Sequence, residues 1–341
     1  MGFDANARQL RAGEMLDRVM TTDLRLYFEE DRVLSALYQS ARDASSQGTG
    51  RPLSLIAAQT ILSRVRPGDL FIVMTGWRTA YRPYGETDGP LGAVILARAI
   101  ARACEATPIL LAEEEIASSL VALCRVAGFN VLDLETAKAY KSSVHIRSIP
   151  IGDAESRRAT EGLLKELRPS CVVSIERPGR NEKGVHHYTR GISCSEGIAY
   201  LDYLFGEAWK GKILTVAIGD LGNELGLGKI KEAVRKYVKF GSKCLCPCGG
   251  GIAAADPADI TVFSTTSNWG AYGVAAALAV LKRDLNIFHS GEIERRMLGA
   301  SCLTGIVDGA LDLPSLSVDT IPEGADVGIV EMMRVIIEKT L

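Results

Sequence analysis

Ile213-Leu214-Thr215-Val216-Ala217-Ile218-Gly219-Asp220-Leu221-Gly222-Asn223-Glu224-Leu225-Gly226-Leu227-Gly228 runs directly into Lys229-Ile230-Lys231-Glu232-Ala233-Val234. The apolar, β-branched start reads as a buried strand, the glycine-rich centre as a turn and the last six residues as a helix. An Asp at the carboxyl end of a strand, with Asn and Glu just beyond it, puts oxygen ligands where open α/β sheets bind their ligands. Gly222, Gly226 and Gly228 would let the backbone approach a small anion or adopt positive φ. A tight βα connection with capping Asp and Asn accounts for the same residues, and for an isolated loop that reading is favoured. The other loops of the chain shift the balance.

Upstream, Leu70-Phe71-Ile72-Val73-Met74 is a strand ending at Thr75-Gly76-Trp77. A long loop then reaches Glu86-Thr87-Asp88-Gly89-Pro90 before a helix starts at Leu91. Glu86 and Asp88 suit either the helix N-terminus or a ligand. Pro108 to Ala112 is a strand, Glu113 to Ala127 a helix whose three leading Glu favour its first turn, and Gly128 to Leu132 a further strand. His145 to Pro150 reads as an extended connection, and Ala154 to Leu167 as a helix. The strand Cys171 to Ile175 delivers Glu176, Arg177 and Arg180 on one loop, a set suited to gripping a carboxylate or phosphate, or to a local ion pair. His186 and His187 are adjacent, so at most one faces the site. Downstream, Ile260 to Ser264 is a strand leading to Asn268, followed by a small-residue helix from Ala271 to Leu281. Asp308 closes another apolar segment, and a last helix follows Ala325. Residues 1 to about 65 are strand-poor and helical in spacing, a layer over the sheet or an oligomerisation element.

Strands alternating with helices imply an α/β fold: a largely parallel, Rossmann-like layered sheet with helices on both faces and an N-terminal helical layer. The expected units are residues 1–65 and an α/β domain over 66–341, divisible into lobes 66–168 and 169–341. In a parallel sheet the polar loops gather at one edge.

The totals exclude several classes. The chain has 341 residues, a formal net charge of −2 and few aromatics, which gives no electrostatic footprint for nucleic acid or an anionic membrane. No apolar run approaches the roughly 18 residues of a membrane span. The N-terminus lacks the pattern of a secretory signal, and Asn6 stands where myristoylation needs Ser or Thr, so the expected compartment is the cytoplasm. The eight cysteines are scattered and several lie in apolar runs, which suits reduced core thiols. Cys244, Cys246 and Cys248 at alternate positions could bind a soft metal, but no second CxxC or nearby histidine in sequence completes a set, and as a strand the three would simply share a face.

Taken together, Glu86-Thr87-Asp88-Gly89-Pro90, Ile175-Glu176-Arg177-Pro178-Gly179-Arg180, Ile218-Gly219-Asp220 with Gly222-Asn223-Glu224-Leu225-Gly226, Ser267-Asn268-Trp269-Gly270 and Val307-Asp308-Gly309 with Ser317-Val318-Asp319 resemble the signature blocks of the D-glutamate cyclase-like family, specifically its C-terminal domain. The resemblance runs in order over roughly residues 65 to 335. It departs at Leu221, where the family usually has Gly, and at Leu225 and Leu227, where it tends to have Ile and Met.

The resemblance implies a lyase that closes D-glutamate, or a related acidic amino acid, to 5-oxo-D-proline with loss of water. That chemistry needs a general base, a general acid and a cationic clamp on the substrate carboxylate. The candidates are Glu176, Asp220 and Glu224 for proton transfer, with Arg177, Arg180, Asn268, Gly222 and Thr75 holding the small anionic substrate. Glu86, Asp88, Asp220, Asn223, Glu224 and Asp308 are candidate oxygen ligands for a divalent cation, Mg²⁺ or Mn²⁺. The same cluster would also serve a metal-dependent phosphatase, and a non-catalytic small-molecule binding protein is a third reading. NAD, flavin and haem are not expected; an acidic trio in the late glycine loop is unsuited to cradling a pyrophosphate without a cation.

Overall fold

Period-two alternation in the apolar strands decides the layering. In β1 (Leu70–Thr75), Phe71 and Val73 enter one apolar core while Leu70, Ile72 and Met74 enter another. A strand buried on both faces requires helices on both sides. The computed structural model describes residues 5–25 and 32–341; Gly2 of the myristoylation reading and residues 26–31 of the helical layer lie outside them.

The chain begins with α1 (Ala5–Met20), α2 (Arg32–Ser46) and α3 (Leu53–Arg64), then enters β1. It continues through α4 (Pro90–Cys104), β2 (Thr107–Ala112), α5 (Glu114–Val126), β3 (Asn130–Val131), α6 (Leu134–Ala139), β4 (Ser143–Ser148), α7 (Asp153–Thr160), α8 (Leu163–Leu167) and β5 (Cys171–Ile175). The second half comprises α9 (Asp202–Lys210), β6 (Leu214–Gly219), α10 (Lys231–Tyr237), β7 (Ile260–Phe263), α11 (Ser267–Lys282) and α12 (Gly291–Leu303). A short antiparallel pair, β8 (Ser317–Val318) and β9 (Ile321–Pro322), precedes α13 (Glu323–Thr340).

Among the described residues, seven strands form a parallel sheet in the order β3-β4-β2-β1-β5-β6-β7, the α/β layering expected. From β1 the sheet grows one way through β2 and the other way through β5, so the order reverses between β1 and β5. Thr75 and Ile175 are level in that register. The loops that follow them therefore diverge above one crevice, which is where such sheets bind ligands.

Three local readings change. The His145–Pro150 connection is strand β4, inserted between β2 and β3, while the strand read at 128–132 shrinks to Asn130–Val131. The single helix over 154–167 is two, because Gly162 takes φ +76° and breaks it. The 244–248 stretch is an irregular loop rather than a strand.

One face of the sheet carries α4, α5 and α11; the other carries α8 and α9. Helix α11 is buried from Ser267 through Val280, and its small residues allow that enclosure. Helices α1 and α3 pack chiefly on α11, and α2 on β7. Leu16, Met20, Leu37 and Ile61 join the same core as the strands, so the N-terminal layer is continuous with the α/β interior. Asp17 anchors it by accepting hydrogen bonds from Leu53 N at 2.6 Å and Tyr38 Oη at 2.7 Å.

Candidate active site

β6 ends at Gly219, and the next residue, Asp220, is buried. The turn beyond it is organised by Glu224, whose carboxylate accepts from the backbone N–H groups of Asp220 at 3.0 Å, Leu221 at 2.7 Å and Gly222 at 2.7 Å. Gly222 has φ +95°, and a Cβ there would strike Val234. Glu224 is thus committed to shaping the loop, and Asp220 is the carboxylate that the loop presents. One Asp220 oxygen accepts from Arg25; the other, Oδ1, is buried without a partner among the described residues.

Loops from β1 and β5 close on Asp220 through the start of α11. Asp88 accepts from Ser267 N and Asn268 N, both at 2.8 Å, while Asn268 Oδ1 accepts from Gly89 N at 2.9 Å and Gly92 N at 2.7 Å. Each side chain caps the other's helix, which satisfies orphan donors at both N-termini. Asn268 is therefore a scaffold residue that fixes Asp88. Glu176 follows β5 with φ +44°, and its carboxyl accepts from Ser267 Oγ at 2.5 Å. Thr75 Oγ1, at the end of β1, is buried without a partner among the described residues.

The C-terminal segment supplies the last wall. Asp308 accepts from Ala310 N at 2.9 Å, Leu311 N at 3.0 Å, Ser317 Oγ at 2.6 Å and Thr320 N at 2.8 Å. Like Glu224, it builds a loop. That loop places Asp319 in the left-handed region (φ +48°), where it accepts from Arg25 Nη1 at 2.8 Å. Glu86 completes the wall and accepts from Arg82 at 3.1 Å.

Ligand atoms of Asp88, Asp220 and Asp319 lie within 4.8 Å of one another, as do those of Glu176, Asp220 and Glu224. So many buried carboxylates this close together cannot all ionise freely. Burial, reinforced by Asp319, pushes the Asp88 carboxyl up to about 7, despite its backbone hydrogen bonds. Burial likewise holds Glu86, Glu176 and Asp220 well above the carboxylate range, with neighbouring carboxylates adding to it. Arg25 opposes the shift at Asp220. Oxygen donors only, with the unpartnered Oδ1 atoms of Asp220 and Asn223 among them, make a donor set compatible with a hard metal ion.

A cavity of about 250 Å³ lies over this cluster, with Glu86, Glu176, Asp220, Asn223 and Asp319 in its lining. The arginines that line it are Arg82 and Arg190. Arg177 is held elsewhere: it donates to both oxygens of Glu113 at 2.6 and 2.5 Å and to the carbonyls of Gly76 and Ala199. Arg180 forks onto Asp256 at 2.9 and 3.3 Å. The β5 loop thus contributes its carboxylate to the cavity while both of its arginines bind protein groups. The leading Glu of the 113–115 run is the partner that takes Arg177.

Arg25, Asp319, Arg82 and Arg190 stand at the site although the sequence reading does not name them as site residues. Asp319 had a signal in the Ser317-Val318-Asp319 block. Arg25 had none, because it follows a helix whose pattern speaks only of packing.

The sequence profile of the family described as "D-glutamate cyclase-like, C-terminal" matches residues 35–334. The human protein named "D-glutamate cyclase, mitochondrial" is 31% identical over 253 residues, covering 70% of this chain and 37% of its own length. The chain therefore spans little more than a third of that relative. Among the described residues, no helix is long and apolar enough to cross a membrane.

Proposed function

The chain belongs to the D-glutamate cyclase-like family, and we propose that its carboxylate cavity closes D-glutamate, or a related acidic amino acid, to the five-membered lactam with release of water. The observation that carries this reading is the pairing, in one cavity, of carboxyl groups held above their ordinary range with arginines at the wall. In the reaction the α-nitrogen bonds to the γ-carboxyl carbon and a C–O bond breaks. Two protons leave the nitrogen and two join the departing oxygen. Acids and bases work best with pKa values near the working pH, and burial moves these carboxyls in that direction. Glu176, which lines the cavity beside Asp220, is the proton-transfer group in this reading, while the free buried oxygen of Asp220 is kept for the cation. Arg190 replaces Arg177 and Arg180 as the clamp on the substrate carboxylate, with Arg82, paired to Glu86 and Asp312, beside it at the wall.

Mg²⁺ or Mn²⁺ is the cation we expect, held by Asp220 and Asp319 with Glu176 beside them. When bound it would polarise the γ-carboxyl oxygen. Asp88 and Asn268 hold the walls, and Glu224 keeps Asp220 aimed at the cavity.

The test is a thermal-shift and turnover experiment on EDTA-treated protein with Mg²⁺ or Mn²⁺, each with and without D-glutamate, beside Asp220→Asn. Stabilisation by D-glutamate together with lactam formation, both lost in the variant, is the expected result. Cation stabilisation indifferent to D-glutamate would redirect the same site to phosphate esters, and ligand stabilisation without turnover would make it a binding protein.

A further inference from the structure

A second cluster lies beside the cavity. In an extended strand, alternate residues stand about 7 Å apart. The sulfurs of Cys244, Cys246 and Cys248 instead lie 3.5, 3.3 and 3.3 Å from one another, because the loop curls around them. His187, remote in sequence, brings its Nε2 to 3.2 Å from Cys246 Sγ and 3.6 Å from Cys248 Sγ. All four ligand atoms fall within 4.8 Å of one another.

Zinc bound at about 2.3 Å to sulfur and 2.0–2.1 Å to nitrogen in a tetrahedron separates its ligands by about 3.5–3.8 Å. The four atoms stand near that spacing. A disulfide, at about 2.05 Å, is far shorter than any of these sulfur pairs. An iron–sulfur core would hold its thiolates much further apart. Asn181 Nδ2 at 3.5 Å and Gly250 N at 3.4 Å point at Cys248 Sγ, the kind of outer support that orients a metal-bound thiolate.

We propose that Cys244, Cys246, Cys248 and His187 form a Cys₃His zinc site that staples the 244–248 loop to the wall of the cavity. The wall begins at His187 itself. Its carbonyl accepts from Asn223 Nδ2 at 2.8 Å, and the next three residues, Tyr188, Thr189 and Arg190, line the cavity. Leu245 N donates to Gly191 O at 2.8 Å, which ties the same two loops a second time. Soft thiolates select zinc here, while the all-oxygen cluster next door suits a hard cation. Zinc binding would therefore set the position of Arg190 without touching the reacting atoms.

Metal analysis of tag-free protein should find about one zinc per chain. Exchange with Co²⁺ should give strong tetrahedral d–d bands and a thiolate-to-cobalt charge-transfer band. Cys246→Ser and His187→Gln should each lose most of the zinc, whereas Asp220→Asn should keep it. The cobalt spectrum of the wild type decides the matter even if the variants fold poorly. Zinc-free protein lacking cobalt bands, a disulfide within the loop, an iron–sulfur chromophore, or zinc lost from Asp220→Asn but kept by Cys246→Ser would each overturn the proposal.

Discussion

Replacing Arg25 with Met tests how the N-terminal layer is wired to the site. The guanidinium is buried and bridges Asp220 and Asp319, so its removal strands two carboxylates in the interior. Breaking a buried pair typically costs about 3–5 kcal/mol. For 341 residues, an unfolding entropy of about 2.1 cal/mol/K per residue gives about 0.7 kcal/mol/K, so the melting temperature should fall by about 4–7 °C. The assay is thermal unfolding in EDTA, with Asp220→Asn and the double variant completing a cycle. Arg25→Met should cost less in the Asp220→Asn background, because one stranded charge is already gone. Removal of a competing positive charge should also tighten Mn²⁺ binding at least tenfold, about 1.4 kcal/mol. A loss under about 1 °C, or an equal loss in both backgrounds, would refute the reasoning.

Further outcomes follow from the same geometry. Arg177→Met should destabilise by about 3–5 kcal/mol through its Glu113 partner; unaltered stability with a raised KM would return Arg177 to the role of a clamp. Arg190→Ala should raise KM for D-glutamate by roughly ten- to a hundredfold, the worth of one charged hydrogen bond, with melting unchanged. Gly92→Ala would bring a Cβ to 2.8 Å from Asn268 Cα, an overpacking of about 1–3 kcal/mol visible in urea midpoints. The Asp88 carboxyl, raised to about 7 in the fold from an ordinary 3.8, contributes fully below its unfolded value, and that contribution is lost as pH rises through the folded one. Metal-free protein should therefore lose stability between about pH 4 and 7 relative to Asp88→Asn, and Mn²⁺ should reduce the loss. A wild type that gains on the variant across that window contradicts the assignment.

The strands, their alternation with helices and the polar loops at their carboxyl ends were legible because each is a local pattern: an apolar run of five or six residues, then Asp, Glu or Asn. The family blocks are local too, and they lead to Asp88, Glu176 and Asp220 directly. What each polar side chain does at that edge was not local. Arg177 and Arg180 look alike beside Glu176, yet one is buried against Glu113 and the other forks onto Asp256. Asp308 and Glu224 have the chemistry of ligands, but backbone N–H groups within twelve and four residues, respectively, claim their oxygens. His187 and the three cysteines lie almost sixty residues apart and meet only because two loops fold over one edge of the sheet. Sequence by itself determined the layers and the kinds of group delivered to the crevice, since hydrophobic periodicity and short motifs depend on near neighbours. Tertiary structure decided which charges face the cavity, because a buried charge goes where a partner is, and partners come from anywhere in the chain.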